Sequence, residues 1–203
     1  MRNVKFMLPL LLGLAMIAVG CAKPPQADIQ AAKAAVDAAR QAGADDYAKT
    51  SLKEAEDANA ALDAELQAQE KKFALFRSYK QATTLAADVK AKAEKAATDA
   101  TAGKEQAKNE ATQLITEAKK MRDEANGLLA NAPAGKGSKA DIDAMKSDLQ
   151  GVETQIAAAD QAFNEGRYIE AKTKASAAKS AAETVKTAVQ NAIEMRKSKQ
   201  KHS

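Results

Sequence analysis

Alanine recurs along this chain at intervals of three and four residues, and this spacing constrains the fold more than any other feature. Alanine accounts for 50 of the 203 residues, while residues 22–203 carry 29 larger apolar side chains. Positions three and four apart share one face of an α-helix. Each alanine buries little apolar surface, roughly one methylene. The chain is therefore predicted to form narrow helical seams rather than a thick globular core.

Five segments carry this spacing, and each is predicted to be a helix. Asp28 is the expected N-cap of the first helix, Gly43 ends it in a left-handed turn, and Asp45 caps the second. A third, very long segment ends at Ala130, and the sequence leaves open whether residues 67–72 break the helix between the second and third segments. The expected core faces are Ile29, Ala32, Val36 and Ala39; Ala48, Leu52, Ala55, Ala58 or Asn59, Leu62 and Leu66; Phe73, Phe76, Tyr79, Ala82, Ala86, Val89, Ala93, Ala96, Ala100, Gly103, Ala107, Ala111, Leu114, Ala118, Met121, Ala125 and Leu128; Ile142, Met145, Leu149, Val152, Ile156, Ala159 and Phe163; and Tyr168, Ala171, Ala175, Ala178, Ala182, Val185, Val189 and Ala192.

The last two segments have clear start and stop signals. Ser138 is expected to start the fourth helix with Asp141 as its capping-box partner, Gly166 to end it, and the fifth helix to fray from Arg196. The short turns around Gly43 and Gly166 require antiparallel neighbours. We therefore predict an all-α fold of elongated antiparallel helical hairpins, packed as a coiled-coil-like bundle with one very long helix.

The helical stretch that begins at Tyr79 is echoed by the one that begins at Tyr168. Their alanine and apolar positions match at a constant offset of 89 residues. A chance alignment of alanine-rich helices and a duplicated helix pair both explain the echo, and both interpretations stay open. A repeated step of four residues at Gly103, Ala107 and Ala111 predicts a local unwinding of the supercoil.

Residues 1–20 form a distinct N-terminal segment. Arg2 and Lys5 precede an apolar run that is too short for a comfortable membrane span and is typical of a signal peptide. The run ends in Ala18, Val19, Gly20 and Cys21, and no second cysteine exists to form a disulfide. This end resembles the bacterial lipobox, which implies cleavage before Cys21 and a covalent diacylglycerol and N-acyl lipid on it. The alternative is an ordinary signal peptide or an uncleaved anchor with a chance cysteine.

The residues after Cys21 predict where such an anchor lies. In the Gram-negative lipoproteins that this segment resembles, aspartate directly after the cysteine retains the protein in the inner membrane. The residue here is Ala22, which implies transfer to the outer membrane, with the body facing the periplasm or the cell exterior. Lys23, Pro24 and Pro25 predict a short extended tether, because consecutive prolines prefer an extended form.

These signals divide the chain into six parts. They are a signal peptide (1–20), a lipidated cysteine with its tether (21–27), an N-terminal hairpin region with the long helix (28–130), a Pro/Gly linker (131–138), a C-terminal helical hairpin (139–195) and a basic tail (196–203).

Charge sets the basic tail apart from the body. The formal net charge is +4, and the tail cations leave residues 21–195 near −2 with both signs interspersed. No basic groove with aromatic stacking residues is evident, so we expect no nucleic-acid partner. The tail predicts a contact with anionic envelope material such as peptidoglycan, and a solvated end that complements the helix dipole is the alternative. The four cations are Arg196, Lys197, Lys199 and Lys201.

The order of these features supports a family resemblance. A lipobox, an alanine-rich helix and an Ala-Gly-Ala-Asp turn at residues 42–45 resemble the bacterial lipoproteins that carry the domain of unknown function numbered forty-three ninety-eight. The best-matching stretch is 28–100, with a weaker echo over 149–189, and the resemblance implies no activity. The chain also looks loosely like murein lipoprotein, although it ends in Lys201-His202-Ser203 rather than in the lysine through which that protein is joined to peptidoglycan.

No arrangement of polar residues predicts a catalytic site. The single histidine, His202, lies in the tail with no partners placed around it. We therefore expect no catalytic residue, no metal site and no cofactor beyond the lipid on Cys21. One aromatic cluster is a candidate site: it is expected to pack in the core against Leu62 and Leu66, and a partner-docking patch is the alternative. Its members are Phe73, Phe76 and Tyr79.

Two classes of function fit these observations. The first is a lipid-anchored, non-catalytic structural or adaptor protein of the bacterial cell envelope, whose partners are the membrane, an envelope protein or peptidoglycan, or a second copy bound through helix packing. The second is a periplasmic carrier or chaperone-like binder of lipid or peptide. A continuous packed seam favours the first class, and an exposed apolar patch of several hundred Å² favours the second. The residues expected to line a carrier's cradle are Met121, Leu128, Leu129, Ile142 and Met145.

Overall fold

A computed structural model describes residues 23–132 and 139–201, with side chains for 23–132 and 140–198. Over these ranges all regular structure is helical, which confirms the predicted all-α class. The elements are α1 (Gln26–Gln41), α2 (Ala44–Tyr47), α3 (Lys49–Glu70), a 3₁₀ turn (Ala74–Phe76), α4 (Lys80–Ala130), α5 (Lys139–Asn164) and α6 (Tyr168–Lys201).

The first three-helix bundle consists of α1, α3 and the N-terminal half of α4. Ion pairs join Lys33 to Asp63 and Arg40 to Glu56, so α1 and α3 run antiparallel in a fixed register. α3 and α4 are antiparallel as well, and α1 and α4 are therefore parallel. Leu62 is completely buried in the shared core of this bundle.

The second bundle consists of the C-terminal half of α4 with α5 and α6, and its core is stacked in layers. One layer contains Ala111, Ala162 and Ala171, one residue from each helix. The layers toward the C-terminal end of α4 contain Ile115, Ala159 and Ala175; Ala118, Val152, Ile156, Ala178 and Ala182; and Ala125, Leu129, Leu149, Val185 and Val189. α4 and α6 contribute alanine at most of these levels, which lets the two helices approach closely.

α4 is the third helix of one bundle and the first helix of the next. Its 51 residues correspond to about 76 Å of helix at 1.5 Å per residue. The packing therefore divides within α4 and not at the predicted 131–138 linker. Residues 133–138 of that linker lie outside the described residues, as does Ser138, the expected cap of α5.

The Tyr79 and Tyr168 stretches play the same role in the two bundles, since each forms the third helix. Matching positions at the offset of 89 are buried in both helices, and both interpretations of the echo agree with this. The matched pairs are Ala82 and Ala171, Ala86 and Ala175, Val89 and Ala178, Ala93 and Ala182, Ala96 and Val185, and Ala100 and Val189.

The glycine stop signals are confirmed, but both aspartate caps are wrong. Gly43 and Gly166 have φ values of 90° and 76°, a left-handed region that glycine enters without steric cost. α1 begins at Gln26, so Asp28 lies inside its first turn. Gly43 takes the N-cap position of α2, and Asp45 likewise lies in the first turn, where a carboxylate still complements the helix dipole.

The chain reverses between α3 and α4, and this corrects the predicted face of the long helix. Residues 71–79 contain no glycine or proline, yet Phe73 and Arg77 adopt extended backbone conformations that any residue can take. Phe73 and Phe76 therefore precede α4 and lie outside the core, whereas Tyr79 is buried as predicted.

The seam of α4 shifts by one position after its midpoint. The repeated step of four at Ala107 and Ala111 is followed by another, so Ile115 is buried while Leu114 is half-buried. Leu129 is likewise buried and Leu128 half-buried. The stutter was visible in the sequence, but its extension to Ile115 was not predicted.

Both ends of the described chain also differ from expectation. Pro25 has ψ 73°, and the Gln26 N–H donates to the Pro24 carbonyl at 2.9 Å, so the tether turns tightly into α1 instead of staying extended. α6 does not fray at Arg196 but continues through Lys201.

Candidate functional site

The predicted lipid anchor falls outside the described residues. This applies to Cys21 and to Ala18, Val19 and Gly20 before it. The first described residue is Lys23, and Pro24 and Pro25 are half-buried. The position of α1 therefore fixes which end of the body lies next to Cys21.

An apolar patch projects from the reversal between α3 and α4. Phe73, Leu75 and Phe76 have 69%, 61% and 75% of their surface exposed, and we call them the connector patch. The rings of Phe73 and Phe76 lie 6.4 Å apart and tilted, so they cover each other only in part. The expected core packing of these two rings is wrong. Leu75 belongs to the patch although its apolar character alone did not single it out in the sequence.

Hydrogen bonds hold the connector in one conformation. Gln69 is a buried polar residue whose side-chain oxygen accepts a hydrogen bond from the Ser78 N–H at 3.0 Å, while its amide nitrogen donates to Glu65 at 2.7 Å. The Arg77 guanidinium donates to the carbonyls of Lys72 and Glu70, at 3.0 and 2.9 Å. The last carbonyls of a helix otherwise lack partners. The patch is therefore presented by an ordered turn.

The connector lies at the same end of the molecule as the start of α1. In the α1–α3 register, Lys33 pairs with Asp63, and each lies seven residues from its own helix end at Gln26 or Glu70. Gln26 is therefore level with Glu70, next to the connector. Residue 21 is five residues further back, which limits its distance from Gln26 to about 17 Å.

A ladder of three ion pairs joins the parallel helices α4 and α6. The Nζ–Oε2 distances are 2.7, 2.7 and 2.5 Å, and successive rungs are seven residues apart on both helices. Heptad spacing returns a side chain to the same side of a packed pair. The rungs are Lys172–Glu110, Lys179–Glu117 and Lys186–Glu124.

The lysine partners lower the pKa of all three ladder glutamates. The hydrogen bond from Lys172 is the largest cause at Glu110, and those from Lys179 and Lys186 at Glu117 and Glu124. Amide side chains one turn earlier reinforce the effect at the first two rungs, through Gln106 and Gln113. The charged carboxylates therefore favour the folded state.

Acid is expected to remove the contribution of this ladder. Because the folded pKa lies below the unfolded one, the stabilisation is present above about pH 4.3, the ordinary glutamate value, and is lost as the pH falls through the folded pKa. Wild type should therefore have a higher Tm than the triple variant Glu110→Gln, Glu117→Gln and Glu124→Gln at pH 7, and the difference should shrink toward pH 2.

The control for this measurement is the double variant Glu94→Gln and Glu105→Gln. Both glutamates form exposed pairs within α4, at 3.7 and 3.9 Å from Lys90 and Lys108. Such pairs contribute little to stability. A Tm difference for the triple variant that is equal at pH 7 and pH 2 would contradict a role for the ladder charges.

The basic tail continues the last helix at the far end of the molecule. Residues of α6 lie about 60 positions after their α4 neighbours, as the Ala111–Ala171 layer shows. Lys201 is therefore about ten residues beyond the level of Ala130. Arg196 is half-buried and Lys197 exposed. The side chains of Lys199 and Lys201, and all of His202, lie outside the described residues.

The residues of the predicted cradle pack against one another and against the second core. Leu129 is buried with Leu149 and Val185, and Leu128, Ile142 and Met145 pack against the same cluster. Met121 packs against the neighbouring cluster. A groove with a volume of about 340 Å³ remains beside Leu129 and Ile142. The cradle side chains thus form the end of the core.

The described helices offer neither a membrane span nor a metal site. Within residues 23–132 and 139–201, no helix is both long and apolar enough to cross a bilayer. Within the same residues, no group of three histidine, cysteine or acidic residues is placed to hold a metal ion. Comparison with models of protein families, with curated proteins and with solved structures finds no match for the chain. The two sequence resemblances stay predictions.

Proposed function

We propose that this protein is a non-catalytic, lipid-anchored spacer and adaptor of the bacterial envelope. An acylated Cys21 holds one end at the periplasmic face of the outer membrane, and the helical body carries the basic tail to envelope material beyond it. The lipoprotein family that the chain resembles in sequence supports the anchoring and the architecture in this proposal. It does not support a particular activity, since that family has no assigned activity.

The continuity of α4 through both bundles is the observation that supports this proposal most. α1 begins at one end of the body, and α6 ends at the other. The length of α4 and the overhang of α6 together separate these ends by about 90 Å. The connection between the bundles is a packed helix with a buried seam from Ala82 to Leu129. A body built around one continuous helix holds the start of α1 and the end of α6 at a fixed separation.

The packed cradle argues against the carrier alternative. A binder of lipid or peptide needs a concave apolar site of sufficient size. Leu129 and its neighbours instead fill the end of the second core. Copurification of one lipid or peptide per chain with the native protein, detected by native mass spectrometry, would favour the carrier.

One experiment with two arms tests the proposal at both ends of the molecule. In the first arm, cells are labelled with an alkyne analogue of palmitate. We expect label on wild type and none on Cys21→Ser, which should also leave the outer-membrane fraction because acylation supplies the stable attachment. Equal fractionation of the two proteins would contradict the lipid anchor.

The second arm measures co-sedimentation of the full chain with purified peptidoglycan at low and high salt. Wild type should bind at low salt and be released at high salt, because exposed charges are screened. The matched variant replaces the four tail cations by glutamine and keeps the length of α6. Equal binding by the variant would exclude the tail as the contact. The substitutions are Arg196→Gln, Lys197→Gln, Lys199→Gln and Lys201→Gln.

A further inference from the structure

The connector patch combines exposed apolar side chains with positive charge. Residues 71–80 contain three lysines and one arginine and no acidic residue. Lys71, Lys72 and Lys80 are exposed, and the Arg77 guanidinium is held against helix-end carbonyls. Aromatic and aliphatic side chains bordered by lysines are typical of segments that enter the interface of an anionic bilayer.

The position of the patch supplies a second, independent argument. The α1–α3 register places the connector level with Gln26, and residue 21 reaches no further than about 17 Å from there. An acyl chain on Cys21 would therefore hold this end of the body, and no other, against the membrane. The basic tail lies at the opposite end, about 90 Å away.

We propose that the connector patch is a second membrane contact, in which Phe73, Leu75 and Phe76 enter the bilayer interface while the flanking lysines meet headgroup phosphates. The inference rests on the proposed anchor at Cys21 and deepens it: two attachments at one end set the tilt of the body, which a single point of attachment cannot do. The ordered turn supplies rigid, preformed side chains, so little conformational freedom is lost on contact.

The test places a probe on the patch in the mature, acylated protein. Leu75→Cys introduces a thiol that takes an environment-sensitive fluorophore, because the single native cysteine carries the acyl chains. The protein is reconstituted in vesicles of phosphatidylethanolamine and phosphatidylglycerol. We expect a blue-shifted emission and strong quenching by lipid-borne spin labels, at a depth of about 5–10 Å below the headgroup boundary.

Met195→Cys is the matched control. Met195 and Leu75 have the same exposed fraction, 61%, but Met195 lies near the far end of α6. A probe at position 195 should therefore show the emission of an aqueous environment and no quenching by lipid-borne spin labels. The double variant Phe73→Ser and Phe76→Ser, with the probe at position 75, should stay on the vesicles and lose the blue shift. Replacing phosphatidylglycerol by phosphatidylcholine should weaken the shift.

The outcomes separate this inference from the anchor itself. A protein that stays in the supernatant refutes the proposed anchor. An anchored protein whose position-75 probe matches the Met195 control refutes the membrane contact and leaves the anchor intact. The same holds if the position-75 probe is shifted only when an envelope protein is added, since the patch then docks a protein.

Discussion

Replacing Gly103 with alanine is expected to lower the free energy of unfolding by about 1–3 kcal/mol, the usual cost of overpacking. An ideal Cβ at position 103 would lie 2.5 Å from the Tyr47 carbonyl oxygen and 3.2 Å from the Tyr47 Cβ. Both are atoms of Tyr47, the last residue of α2 in the turn between α1 and α3, and neither is the far end of a flexible side chain. The turn must therefore shift.

Gly127→Ala is the matched control for this measurement. Gly127 lies in the same helix, and an added Cβ meets no atom within 4 Å. Alanine is the better helix former by about 0.8–1.0 kcal/mol, so this variant should be more stable than wild type. Chemical denaturation of both variants and of wild type measures the change in the free energy of unfolding, which should be negative for Gly103→Ala and positive for Gly127→Ala. Stabilisation by both substitutions would contradict the close approach at Gly103.

Leu62→Ala is expected to destabilise the first bundle by about 2–5 kcal/mol, through lost apolar burial and the cavity it leaves. Leu62 is fully buried where α1, α3 and α4 meet, in a core otherwise built largely of alanine. The alanines of this core have no side chain long enough to fill the gap, so the core can collapse only in part around it.

The control, Leu75→Ala, makes the same chemical change on a residue that is 61% exposed. Surface substitutions usually change stability by no more than about 0.5 kcal/mol. Thermal and denaturant unfolding of the two variants should therefore differ clearly. Equal destabilisation by Leu62→Ala and Leu75→Ala would contradict the assigned core.

The periodic helices could be predicted from the sequence because one physical signal dominates them. All four expected core residues of α1 are buried, and Gly43 and Gly166 end helices as expected. Ala-rich faces at a spacing of three and four have few alternatives to helix packing. Local spacing therefore carried most of the fold class and the turn positions.

The connector could not be predicted because its spacing imitates a helix. Phe73, Phe76, Tyr79 and Ala82 are three residues apart and continue the seam of α4 in sequence. The chain reverses there, and α3 and α4 pack antiparallel. This packing depends on tertiary contacts, and no residue of the connector signals it locally. The exposure of the patch, and with it the candidate site, follows from that reversal.

The contact between the two bundles beside Gly103 could not be predicted from the sequence either. Burial raises the pKa of the Tyr47 phenol, and the nearby backbone of Tyr168 only partly opposes that rise. The α1–α3 turn thus meets the start of α6 beside Gly103. A glycine within an alanine seam signals a close approach of some kind, but the approaching partner lies 56 residues away in the chain.

The parallel pairs α1–α4 and α4–α6 have a mechanical consequence. The chain enters at one end of the body and leaves at the other, so tension between its termini would pull the two members of each pair in opposite directions along their axes. The three lysine–glutamate rungs and the alanine layers would then be loaded in shear and have to slide together, instead of opening one after another. A body connected in this way is suited to bear load along its length between two fixed points.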